Sequence, residues 1–120
     1  MTADARTFAG TNWRVTAING APTPANGAFS MSFTATDFAA HFGCNRGGGS
    51  YRIAGDVMSA GAVFSTQMAC ASATDDGPDP MAFERMGFAV LNQPMRMTWR
   101  SARELTLSNA AGSIALEVSP

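Results

Sequence analysis

Short stretches of alternating apolar and polar residues recur along this chain. Trp13, Val15 and Ala17 alternate with Arg14, Thr16 and Ile18, and Phe29, Met31 and Phe33 alternate with Ser30, Ser32 and Thr34. Toward the C-terminus, Met95, Met97 and Trp99 form a third set, Leu105 and Leu107 a fourth, and Ile114, Leu116 and Val118 a fifth. A period of two places one set on each face of a strand, so each stretch reads as a strand with one buried and one wet face. Turn signals separate them: Asn19-Gly20, a hairpin-type loop from Pro22 to Gly27, Gly43 to Gly49, Gly55-Asp56, and Asn109 to Gly112. Many short strands joined by tight turns predict an antiparallel sandwich or barrel.

One segment has a different period. In "DPMAFERMGFAVLNQP", Asp79 is a good N-cap and Pro80 suits the first helical position. Phe83, Met86 and Val90 recur at helical spacing with Gly87 and Leu91 beside them, and Asn92 and Pro94 end the run. This predicts one helix over about 80–91, its apolar stripe lying on the sheet or closing one mouth of a barrel. A glycine inside a helix costs about 1 kcal/mol relative to alanine. Gly87 therefore marks a close approach to a neighbouring element.

The chain has 120 residues, the size of one domain. Charged residues make up 14% and the formal net charge is −1, so no basic footprint for nucleic acid is present. Every basic residue is arginine. Without lysine, Schiff-base chemistry and the phosphate-loop lysine are both excluded. No apolar run approaches the roughly 18 residues of a membrane-spanning helix. The start "MTADARTFAG" reads as a mature domain carrying a start methionine, the alternative being a cytosolic protein that never had a leader.

The chemistry-bearing residues concentrate in "HFGCNRGGGSYRI", His41 to Ile53. His41 and Cys44 are the one pair with metal-like spacing, but two ligands are too few for a structural zinc site. As a nucleophile and base they are poorly placed, since side chains three apart on a strand point to opposite faces. No catalytic, cofactor-binding or metal-ligating residues are therefore assigned, and no cofactor is expected. Cys44 and Cys70, the two cysteines, belong to no C-x-x-C pair. They are either a disulfide or two buried thiols. A bridge would close a loop of about 27 residues, worth roughly 3–4 kcal/mol in the chain-entropy model. Gly47-Gly48-Gly49 precede a strand and not a helix, which rules out both phosphate-loop and dinucleotide readings. They are expected at a hairpin, where they supply positive φ or close backbone approach.

"GCNRGGGSY" followed by "FSTQMAC" resembles the META domain family, the HslJ-type heat-shock proteins. The resemblance runs through Trp13, Asn19-Gly20, Gly43-Cys44-Asn45, Gly49-Ser50-Tyr51, Thr66-Gln67-Met68-Ala69-Cys70, the helix, and Leu105-Thr106-Leu107. It covers residues 12–118 as a single domain and leaves 1–11 as a flexible N-terminal segment. Gly47 and Gly48 stand where the family often carries bulkier residues, and Ser65 where a second threonine is common. The resemblance implies an antiparallel β-barrel or sandwich of lipocalin-like topology with one helix, and makes Cys44 and Cys70 a paired structural feature. It also implies a bacterial envelope setting, periplasmic or outer-membrane associated, with a membrane tether through a removed N-terminal signal or lipid anchor.

The resulting expectation is a non-enzymatic, monomeric envelope protein in stress tolerance or envelope maintenance. Its partner would be an envelope protein, met through a contact surface at Asn45, Arg46, Tyr51 and Arg52. Two alternatives stand beside it. One is a carrier for a small apolar ligand, its cavity lined by some of the eight methionines and eight phenylalanines. The other is a protease-inhibitor-like module that presents the 22–27 or 71–79 loop.

Overall fold

The alternating stretches do form strands, and the strands close on themselves. The computed structural model describes residues 8–24, 28–66 and 80–119. In chain order these hold β1 (Thr11–Ile18), β2 (Ala21–Pro22), β3 (Phe29–Phe33), β4 (Asp37–Phe42), β5 (Arg46–Ala54), β6 (Val57–Ala60) and β7 (Phe64–Ser65). The helix α1 (Pro80–Leu91), β8 (Met95–Ser101), β9 (Glu104–Asn109) and β10 (Gly112–Val118) follow. Leaving aside the two-residue strands β2 and β7, each strand pairs antiparallel with the next, and β10 returns to β1. The result is a closed eight-stranded up-and-down barrel with one helix, and closure removes the free sheet edges. The helix occupies the predicted residues.

Parity along β1 departs from the simple alternation. Trp13 and Val15 face inward as expected, but Ile18 and not Ala17 is the next fully buried side chain. The register against β10 shifts between Val15 and Ala17. An extra residue at that bulge reverses the faces beyond it, which a sequence period cannot reveal.

Buried side chains fill the barrel as one cluster. At the end where β1 begins, Phe8 is fully buried against Phe33, Trp13, Trp99 and Tyr51, at centroid distances of 4.9, 5.9, 5.9 and 6.4 Å. The folded unit thus starts before Asn12: Phe8, assigned above to a flexible segment, is a core residue. Val15, Met31, Met58, Met97, Leu105, Leu107, Ile114 and Leu116 are buried in the interior with exposures of 0–5%. At 5% exposure or less, Met31, Met58 and Met97 serve as packing in a dense interior. At the far end α1 lies across β10, β4, β1 and β9, with Phe83 on Phe29 and Phe88 on Phe42 at 5.4 and 5.1 Å.

The glycines are where backbones meet. Gly47, Gly48 and Gly49 lie within β5, and none has the positive φ of a turn residue. The turn is confined to the residues before Arg46, with Gly43 at φ 103°. A Cβ at position 47 would sit 2.5 Å from the Phe64 carbonyl oxygen and 2.6 Å from the Phe88 ring. One at 49 would sit 2.8 Å from the Ala62 carbonyl oxygen. The expected close approach is therefore real, but it serves the segment 62–64 crossing β5 and not a hairpin. Gly87 plays the same part on the helix, where a Cβ would meet the Phe42 ring at 2.6 Å.

Gly87→Ala should therefore destabilise the protein by about 1–3 kcal/mol in urea unfolding, the range for overpacking. At an exposed helical site the same change stabilises by about 1 kcal/mol, so the sign of the effect is the test. Combining it with Phe42→Leu should recover part of the loss.

Candidate functional site

The Gly-Cys-Asn turn joins β4 to β5 at the helix end of the barrel. Gly43 takes the left-handed conformation and donates its N–H to the Ala28 carbonyl at 2.8 Å. His41, at the end of β4, donates from Nε2 to the Cys44 carbonyl at 3.1 Å. Cys44 is disulfide-bonded. Cys70, its partner in the sequence reading, lies outside the described residues. A thiolate at Cys44 activated by His41 is incompatible with this arrangement, because the sulfur is engaged and the imidazole is spent on a backbone carbonyl.

Asn45 is the centre of the site. It is buried, and its backbone N–H donates to Glu84 Oε1 at 2.6 Å while its side-chain Nδ2 donates to Oε2 at 3.0 Å. The Thr66 hydroxyl donates to Asn45 Oδ1 at 2.8 Å and accepts from the Arg46 N–H at 3.1 Å. The Thr66 N–H completes the ring by donating to the Arg46 carbonyl at 2.9 Å. Residues from the turn, from the segment after β7 and from α1 thus meet in one closed network. Each carboxylate oxygen of Glu84 accepts a charge-assisted hydrogen bond, the stronger kind.

Glu84 was not among the residues singled out in the sequence, although a signal was there. At 84, 87 and 91 it shares a helical stripe with Gly87 and Leu91, which face the barrel, so a carboxylate on that stripe demands donors. The expected contact surface also needs correction. Asn45 and Tyr51 are buried, Asn45 by the network and Tyr51 because odd positions of β5 beyond Gly49 alternate inward. Arg46 and Arg52 remain, exposed on the outer face of β5.

Tyr51 anchors the other end of β5. Its phenol donates to the Thr34 carbonyl at 2.6 Å. Burial, helped by the negative charge of Asp37, raises its pKa above the ordinary 10.0. Holding the proton in the folded state stabilises the fold fully below the unfolded pKa, and that contribution is lost as pH rises through the native value.

Two outcomes follow from these geometries. Glu84→Gln leaves one Asn45 donor facing an amide NH2 and should cost about 1–3 kcal/mol, the penalty for an unsatisfied buried group; Thr66→Val should be non-additive with it in a double-mutant cycle read by urea unfolding. Tyr51, the single tyrosine, should titrate above 10.0 by ultraviolet absorbance in the native protein. Asp37→Asn should move it part of the way back, while an unshifted midpoint would contradict its burial.

Comparison with known proteins agrees with this construction. The META domain model matches residues 6–119. Among curated protein sequences, none matches this chain. Two structures solved by NMR share the fold. One aligns at 17% identity and a TM-score of 0.77, over 94% of this chain and 92% of its own. The other, from Burkholderia xenovorans, aligns at 21% identity and a TM-score of 0.68, over 96% of this chain and 86% of its own. With the two cysteine motifs in order, the barrel closed and the family model spanning nearly its whole length, the chain belongs to the META domain family.

Proposed function

We propose that this protein is a non-enzymatic component of the bacterial envelope, periplasmic or outer-membrane associated, that serves stress tolerance or envelope maintenance by binding a partner. The disulfide at Cys44 is the observation that carries this reading. Such bonds persist in oxidising compartments and are rare where glutathione and thioredoxin keep thiols reduced. The buried network at Asn45 supports it further. Its polar groups are turned on one another, an arrangement suited to holding a helix on a barrel and not to meeting a substrate.

The carrier alternative finds little support in an interior occupied by side chains. For the inhibitor alternative, residues 25–27 and 71–79 of the two presenting loops lie outside the described residues.

The test is fractionation of bacteria that express the gene from its natural locus, with alkylation of the protein before and after reduction. Recovery with the envelope fraction, both cysteines labelling only after reduction, is the expected result. Recovery from the cytosol with both cysteines freely alkylated would overturn the reading. Deletion of the gene should lower survival after a heat challenge, and restoring it should recover survival.

A further inference from the structure

A cleft opens on the outer face of the barrel where β5, β6 and the β3–β4 turn meet. Its volume is about 400 Å³, within the roughly 300–1,000 Å³ of small-molecule sites. Ala35 and Ala60 supply apolar wall. Hydroxyls come from Ser50, Ser59 and Thr36. Arg52 supplies a cation.

Three arrangements make this more than a surface dent. First, Arg52 is uncommitted among the described residues. The ion pairs among the described residues are Arg14–Glu117, Arg96–Asp56 and Arg100–Glu104, and Arg52 takes part in none of them. Second, the floor is rigid. Arg52 pairs with Ser59 and Tyr51 with Ala60 across β5 and β6, and the buried Tyr51 is tied to Thr34 beneath. Arg52 and Ser59 therefore leave the same face of the sheet side by side. Third, Gly61 keeps the rim open. A Cβ there would lie 2.3 Å from Ser50 Oγ, and the Gly61 N–H is fixed on the Ser50 carbonyl at 2.9 Å. Any side chain at 61 would compete for the space beside Ser50.

We propose that this cleft binds a small organic anion, a carboxylate or a phosphate ester with a short apolar body, with Arg52 as the group that recognises the charge. A guanidinium offers a fork of donors that matches either headgroup. The hydroxyls of Ser50 and Ser59 donate to the remaining oxygens, and the alanines accept the apolar body. Asp37 opposes this. Its carboxylate accepts from the Thr36 hydroxyl at 2.8 Å, on the turn that forms one wall, and it weakens attraction for a second negative charge. The proposal concerns a site on the outside of the barrel and does not depend on the compartment in which the protein resides.

The experiment is an amide chemical-shift titration of the full chain at constant ionic strength with three probes: phenyl phosphate, benzoate and the neutral benzyl alcohol. The expected result is saturable shifts at Thr36, Ser50, Arg52, Ser59 and Gly61 with both anions, and none with the alcohol. Arg52→Gln should weaken the anions on the order of tenfold or more, the scale of losing one charged hydrogen-bond partner. Asp37→Asn should tighten them. Arg46→Gln, an equal charge change at the other end of the same strand, should leave them unchanged. Gly61→Val should block binding while keeping Arg52. The dispersion of each variant's spectrum reports folding independently of binding. The stronger of the two anions names the headgroup. Equal losses from Arg46→Gln and Arg52→Gln would mean diffuse attraction and overturn the site. So would equal binding of the alcohol, or the absence of saturable shifts.

Discussion

The two hydrogen bonds from Asn45 to the Glu84 carboxylate hold the helix end of this barrel together. A buried carboxylate is costly unless its lone pairs are satisfied, and here both oxygens are. The geometry also dictates what surrounds it. Asn45 can present both its backbone N–H and its amide to one carboxylate only if the chain turns sharply just before it, which Gly43 permits at φ 103°. Thr66 then has a fixed place, because its hydroxyl reaches the Asn45 side-chain oxygen while bridging to Arg46. The disulfide at Cys44 constrains the same turn through a covalent bond.

Around that clamp, the missing side chains matter as much as those present. The run Gly47-Gly48-Gly49 lets the segment 62–64 cross β5 at backbone contact, with the Phe88 ring in the space a side chain at 47 would take. Gly87 admits Phe42 in the same manner from the helix. Small residues on β5 and α1 are thus exchanged for large aromatic rings on their neighbours, and packing density is kept. Phe64 and Phe88 supply volume beside the glycines that the glycines themselves lack. The Phe64 ring lies over Gly48 and is itself 68% exposed.

Several elements were invisible to pattern alone, for identifiable reasons. β4 alternates Phe38, Ala40 and Phe42 inward, yet its alanines have weak strand preference and blur the signal. β5 carries three glycines directly after Arg46, which read as a turn by composition and are a strand because neighbouring backbone covers them. The burial of Phe8 could not be read from its neighbours in the chain, since its partners come from positions as distant as Trp99. Of the proposed contact residues, Arg46 and Arg52 stayed outside, whereas the short polar turn around Asn45 gave no local sign of a carboxylate arriving 39 residues later in the chain.

By itself the sequence determined the class of fold, the helix boundaries and the family, because these follow from local periodicity, capping residues and ordered motifs. It also marked Gly87 as a close approach, because a glycine inside a helix needs a reason for its cost, while for Gly47-Gly48-Gly49 it left positive φ and close approach both open. Tertiary structure alone decided what approaches them, where the parity of β1 reverses, that Asn45 and Tyr51 belong to the interior, and that Arg52 faces an open cleft. Those outcomes depend on contacts between residues far apart in the chain. Barrel closure, bulge position and helix docking set such contacts together, and no window of neighbouring residues contains them.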